Sequence, residues 1–203
     1  MRKVILVTST SSPSLISRFL DYEIVGLDEG IDVARQSGAK LSLAISTFEE
    51  VSLQHVLSFM PKDKIVRYTN SEGDTPYLKV VDYLFSLGIE EIVILASLQS
   101  RFDLIHGSLL TLKNAKGNVM IQDDNSIMMY YQKGSHVINK QDYSMLYIIG
   151  FPQANISMEH VERPVKNLKL DFTADHALKN AILERVAVLK VNEGGVLLVL
   201  ARE

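Results

Sequence analysis

The stretch "LASLQSRFDLIHGSLL" (residues 95–110) places a cation and an anion two residues apart, Arg101 and Asp103, where an apolar run gives way to an amphipathic one. A strand tip that runs into a helix suits an anion, because backbone N–H groups and the helix dipole both point there. Gln99 and Ser100 stand where glycines would leave the backbone open to a phosphate, so the stretch reads as the frame of a nucleotide site with its closest approach obstructed. Further carboxylates cluster in short polar segments: Glu49 and Glu50 in "STFEEVS", Glu72 and Asp74 in "TNSEGDTP", and Asp123 and Asp124 in "QDDNSI". Acidic groups that converge on one edge are suited to holding Mg²⁺ on a polyphosphate. Loop carboxylates also serve as solvated caps, and Glu49 and Glu50 are expected in the first turn of a helix, where the dipole favours them. The acidic pair at residues 123–124 would suit a ribose or a metal ion, although a tight turn between two strands explains it without any ligand. His55, His106, His136, His160 and His176 show no metal-ligand spacing and read as ordinary residues, although His106 lies about one helical turn after Asp103.

These residues need elements to position them. Up to about residue 125, short apolar β-branched runs alternate with amphipathic segments. "KVILV" (3–7), "EIVGL" (23–27), "LSLAI" (41–45), "KIVRY" (from 64), "EEIVILA" (90–96) and "NVMIQ" (118–122) read as strands apolar on both faces, as in a covered parallel sheet. The intervening "PSLISRFLD", "EGIDVARQSG", "EEVSLQHVLSFM", "TPYLKVVDYLFSLG" and "RFDLIHGSLLTLKN" read as helices. Gly38 and Gly88 are placed as helix C-caps, and Thr75 with Pro76 as an N-cap followed by a first-turn proline. Residues 1–125 are therefore predicted to form an α/β domain with a parallel sheet, whose ligands bind at the carboxyl ends of the strands. From 126 to 203 the helical punctuation nearly stops. "SIMMYYQ", "SHVINK", "YSMLYIIG", "VKNLKLDF", "ILERVAVLKV" and "GVLLVLARE", separated by turn formers such as "QKGS" and "NEGG", predict an antiparallel β domain of sandwich type.

Composition narrows the functional classes. The chain has 203 residues, 47% of them hydrophobic, which is ample for a core. A net charge of −3 with no basic run argues against a nucleic-acid surface. The absence of cysteine excludes disulfides, thiolate catalysis and cysteine metal sites, and accords with a cytoplasmic setting. The apolar run Val4 to Val7 is too short for a signal peptide, and no segment approaches the ~20 apolar residues of a membrane-spanning helix.

The order and content of these segments resemble the thiamine diphosphokinases (thiamine pyrophosphokinases) over almost the whole chain. "VGLDEG" looks like the family's strand-Asp-x-Gly turn, "LSLAISTFEEVS" its acidic segment, and "EGDTPYLKVVDYLFSLGIEEIVIL" its Lys-Asp-x-Thr-Asp segment with the following helix and strand. "SLQSRFD" is similar to Thr-Gly-Gly-Arg-x-Asp-His, "QDDNSI" to an Asp-x-x-Asn turn, and "FTADHALKN" lies where the family has Gly-x-Ser-x-Gly-x-Ser-Asn-Glu. The resemblance implies an N-terminal α/β catalytic domain, a C-terminal β-sandwich and a homodimer. It implies Mg²⁺-dependent transfer of a pyrophosphoryl group from ATP to thiamine, releasing AMP. Carried over by position, Glu49 and Asp103 are catalytic, with Glu49 the metal ligand. Asp28, Thr75, Arg101 and Asp103 bind nucleotide, and Asp175 and Asn180 bind thiamine.

The departures fall on the chemistry. Thr47 and Glu49 replace two aspartates, Ser46 a glycine and Glu50 a serine; Glu72 replaces a lysine, and Gly73 and Pro76 two aspartates. Gln99 and Ser100 replace the two glycines, Leu104 the histidine, and Asp175, Lys179 and Ala181 the serines and glutamate of the last segment. Mg²⁺ takes one or two carboxylates plus phosphates at fixed short distance, and Thr47 supplies no charge. Losing one well-placed electrostatic group lowers a rate by about 10²–10³. The expectation is a kinase of reduced activity; the alternative is a catalytically inactive paralogue serving as a ligand-binding or regulatory dimer.

Overall fold

The computed structural model describes residues 2–19, 21–69, 77–97, 102–173 and 178–202, without the side chains of 102–104. The chain divides into two compact units, residues 1–124 and 125–203.

In the first unit, strands β1 (Lys3–Val7), β2 (Glu23–Leu27), β3 (Leu41–Ser46), β4 (Ile65–Arg67), β5 (Glu91–Leu95) and β6 (Asn118–Gln122) form a sheet of order β6-β5-β1-β2-β3-β4. Every one of these pairings is parallel. The strands are apolar on both faces because helices cover them: Ile5, Val7, Ile24, Val93 and Leu95 pack with Leu15 and Ile16 of α1 (Pro13–Ile16) and Ala34 of α2 (Gly30–Gln36). Ile31 of α2 and Ala44 of β3 pack with Val56 of α3 (Leu53–Leu57) and Met60. Val80, Val81 and Leu84 are the buried stripe of α4 (Leu78–Ser86), and α5 (Phe102–Asn114) follows β5. Gly38 and Gly88 adopt φ +78° and +79° just past α2 and α4, as expected of C-caps. The Thr75–Pro76 cap lies outside the described residues.

The chain runs outward from β1 to β4 and then returns, so that β5 and β6 extend the sheet in the opposite direction. The order therefore reverses between β1 and β5, and the loops leaving those strands flank the crevice where open α/β sheets bind ligands.

The amino-terminal edge is closed by charge. Glu91, 8% exposed, accepts from Lys3 Nζ (3.0 Å), Tyr22 Oη (2.7 Å) and Asn118 Nδ2 (3.3 Å). Lys3, Glu91 and Asn118 are neighbours in register across β1, β5 and β6, so one carboxylate serves three elements. The Glu91 carboxylate raises the Lys3 ammonium above its usual range; burial first, then the same carboxylate, raises the Tyr22 phenol.

The second unit is antiparallel: β7 (Ser126–Asn139), β8 (Met145–Glu159), β9 (Val165–Asp171), β10 (Leu178–Asn180) and β11 (Val186–Ala201), with order β10-β8-β11-β7 and β9 paired to β8. The expectation of an α/β part followed by an antiparallel β part is borne out. Two predicted turns are not turns. "QKGS" lies inside β7 and "NEGG" inside β11, which is continuous but shifts register at Val191/Glu193 and Gly194/Val196. Glycine there serves a bulge: Gly194 has φ +72°, and a Cβ on it would lie 2.0 Å from the Gln153 carbonyl oxygen.

Candidate functional site at the carboxyl edge of the parallel sheet

Two hydrogen-bonded knots shape the carboxyl edge. The first ties β1 to β5 at the crevice. Thr8 Oγ1 and Ser11 Oγ both donate to the Leu95 carbonyl (2.8 and 2.6 Å), and Ser11 Oγ accepts from Thr8 N (2.8 Å). Ser97 N donates to Thr10 Oγ1 (3.0 Å), and Ser14 Oγ reaches Asp124 Oδ1 (3.3 Å) beyond β6. Thr8 and Ser11 are buried, so both hydroxyls are satisfied at one strand-end carbonyl, that of Leu95.

The second knot ties β2, β3 and β4 together through Asp28. Its Oδ1 accepts from Ser46 Oγ (2.9 Å) and Thr47 N (3.1 Å), and its Oδ2 from Tyr68 Oη (2.7 Å). Asp28 reaches this position from a left-handed conformation (φ +49°), and two residues on, Gly30 packs against β1. A Cβ on Gly30 would lie 2.1 Å from the Val7 carbonyl oxygen. The Asp-x-Gly pattern thus has a packing reason: the first residue turns the chain, and the second lets α2 begin against the tip of β1.

Beyond this knot, Phe48 also adopts positive φ (+61°), and Glu49 follows, exposed, its N–H directed at Thr47 Oγ1 (3.4 Å). Glu49 and Glu50 do not lie in the first turn of a helix, as expected from the sequence. Helix α3 starts at Leu53 behind Ser52, because the left-handed Phe48 breaks the chain direction and residues 49–51 form a bend. The dipole of α3 therefore does not account for these carboxylates.

The structure brings Asp28 and the Glu49 turn into one network. Thr75, Arg101 and Asp175 lie outside the described residues; Asp103 has a described backbone in the first turn of α5 and no described side chain. The tips of β3 and β5 are three strand spacings apart, about 14 Å at ~4.8 Å each. That span suits an extended ligand lying along the edge better than a single ion. Among the described residues no group of three or more His, Asp or Glu side chains is poised to share a metal. Asn180 is in the second unit and 0% exposed. Its Oδ1 accepts from Arg163 N and Ala181 N (both 3.0 Å), and its Nδ2 donates to Arg163 O (2.8 Å), so its described partners are all backbone. The second unit also holds an open cavity of about 340 Å³ lined by Gln153, Asn155, Lys169, Asp171, Glu193 and Gly194.

Sequence reasoning missed Thr8, Ser11, Ser46 and Tyr68 as site-building residues. Their one signal is position, each within a few residues of a predicted strand end; nothing in their type announces a partner on another strand.

No family model matches the sequence, and no curated protein does either. Solved structures do match over the full length. A thiamin pyrophosphokinase from Geobacillus thermodenitrificans superposes with TM-score 0.85 at 14% identity, covering 99% of this chain and 98% of that one. The thiamine pyrophosphokinase of Bacillus subtilis gives 0.81 at 13% identity with 100% of each chain covered. That of Candida albicans gives 0.80 at 12%, covering 100% of this chain and 89% of that one. The chain has the thiamin pyrophosphokinase fold, in both its units and in their order.

Proposed function

We propose that this chain is a thiamin pyrophosphokinase-type protein that binds ATP and thiamine and transfers the pyrophosphoryl group slowly, as a cytoplasmic homodimer. The observation that carries the reading is the end-to-end likeness to thiamin pyrophosphokinases combined with a parallel sheet whose carboxyl edge is built into a defined, polar rim. None of the described helices is long and apolar enough to cross a membrane.

In this reading the nucleotide lies along the edge from the Glu49 turn to the loop after β5. Arg101 pairs with phosphate, Thr75 donates to it, and Asp103 takes up the proton or orients the thiamine hydroxyl at the start of α5. Asp175 is assigned to thiamine, and Asn180 fixes the backbone at Arg163 and Ala181. Glu49 is the carboxylate assigned to Mg²⁺ in this reading, enough when ATP phosphates complete the shell but fewer anions than a tight site uses. The ion's contribution when bound is to neutralise charge developing on the transferred phosphates. Thr47 contributes a hydroxyl instead of a second charge, and this places the rate about 10²–10³ below that of a fully acidic site.

The test is purified protein with thiamine, ATP and Mg²⁺, following AMP and thiamine diphosphate, with the thermal midpoint recorded for each ligand. Slow stoichiometric formation of both products is expected, with stabilisation by Mg²⁺·ATP. Absence of both products and of any ligand-induced shift would reject the reading. Light scattering of a stable monomer at micromolar concentration would reject the dimer.

A further inference from the structure

We propose that Tyr68 is a positioning residue of the strand-tip site: acting through Asp28, it holds the turn at residues 46–49, and so Glu49, in the conformation that meets the ligand. The inference rests on the functional reading above only for what Glu49 does there; the holding of the turn stands on geometry.

A carboxylate has about four lone-pair positions, and the Asp28 carboxylate spends three of them on Ser46 Oγ, Thr47 N and Tyr68 Oη. It acts mainly as an internal acceptor, and the residue the ligand meets on this side of the edge is Glu49. The bonds run in relay. Tyr68 Oη fixes Asp28 Oδ2 at 2.7 Å, and Asp28 Oδ1 receives Ser46 Oγ at 2.9 Å. The same Ser46 oxygen accepts from Phe48 N at 2.9 Å. Phe48 sits at φ +61°, a conformation a phenylalanine keeps only when its surroundings impose it. Two more contacts come from the end of β4: Tyr68 N donates to Ser46 O (3.1 Å), and the Arg67 guanidinium lies 5.4 Å from the Phe48 ring centroid. The short edge strand therefore supplies a clamp on the turn that presents Glu49. Within it, the Tyr68 hydroxyl can be removed while the ring, and so its packing, stays.

Tyr68→Phe removes the hydroxyl alone. Tyr22→Phe is the matched control, since the Tyr22 hydroxyl also bonds a carboxylate, Glu91, but at the opposite edge of the sheet. Two readouts are taken on the full chain. Amide hydrogen exchange at Thr47 and Phe48 is expected to accelerate about tenfold or more in Tyr68→Phe and to be unchanged in Tyr22→Phe, as a hydrogen bond to a charged group is lost beside that turn. The dissociation constant of ATP with Mg²⁺ is expected to weaken about tenfold in Tyr68→Phe, while that of ATP in EDTA stays the same. Should Tyr68→Phe fold poorly, Ser46→Ala cuts the same relay from the other side. Unchanged exchange at Thr47 and Phe48 overturns the proposal, as does an equal loss of affinity with and without Mg²⁺. If the parent binds no ATP under either condition, the functional reading falls, and the exchange result still decides whether Tyr68 holds the turn.

Discussion

Replacing Asn180 with alanine asks whether this side chain is a backbone clamp or a ligand contact. Its amide makes three hydrogen bonds to the main chain at 2.8–3.0 Å from a fully buried position. At a net ~1 kcal/mol each, with the donor and acceptor of Arg163 left partly exposed after truncation, the loss is about 2–4 kcal/mol. A chain of this length moves about 2–4 °C per kcal/mol, so a 3 kcal/mol loss lowers the thermal midpoint by about 6–12 °C. Asn180→Asp sharpens the test. An ionised aspartate keeps the two acceptor bonds but turns an anion toward the Arg163 carbonyl, so it is expected to be as damaging as alanine at pH 7. Protonation restores a donor, and burial favours the protonated form, so part of the loss is expected to be recovered on acidification from pH 7 to pH 4.5. Calorimetric melts of parent and both variants at pH 7 and pH 4.5 decide it. A midpoint shift under about 2 °C for Asn180→Ala, together with a large loss of thiamine affinity, would refute the clamp.

Three further outcomes are expected. Because Glu91 raises the Lys3 pKa, and burial together with Glu91 raises that of Tyr22, their contribution is complete below about pH 10 and is lost as pH rises through the raised values. A urea midpoint that falls between pH 9 and 11.5 in the parent, but less in Glu91→Gln, is the signature; parallel falls would refute it. Gly30→Ala forces a methyl against the Val7 carbonyl oxygen and should destabilise by about 2–3 kcal/mol or more in urea, an unchanged midpoint being inconsistent with the packing. Thr47→Asp, Glu49→Asp and Pro76→Asp should each do little alone. Combined, they should increase Mg²⁺·ATP stabilisation before turnover, and a parent already stabilised as strongly would mean that its present loops are competent.

The likeness to thiamin pyrophosphokinases at 12–14% identity is a statement about architecture. Whether this chain catalyses the proposed transfer is decided by the assays on its own residues, Thr47, Glu49, Tyr68 and Pro76 among them, and not by the fold.

Local pattern was enough for much of the frame. Runs such as "KVILV" and "EIVGL", apolar on both faces and separated by amphipathic segments with Gly38 and Gly88 at their ends, specify strands of a covered parallel sheet because those signals are short-range. The same locality explains the failures. "QKGS" and "NEGG" carry turn-forming residues, yet pairing on both sides of β11 holds these strands together, and the glycine of the second is used for a bulge. Glu49 and Glu50 look like a helix start until Phe48 is found in a left-handed conformation held by Ser46 and Asp28. What the tertiary structure alone decided is who bonds to whom across strands. Asp28 meets Tyr68 forty residues away, and Thr8 meets Leu95 eighty-seven residues away. Such partners become neighbours only when strand order and parallel register bring the strand ends to one edge, and no spacing within a single segment encodes that.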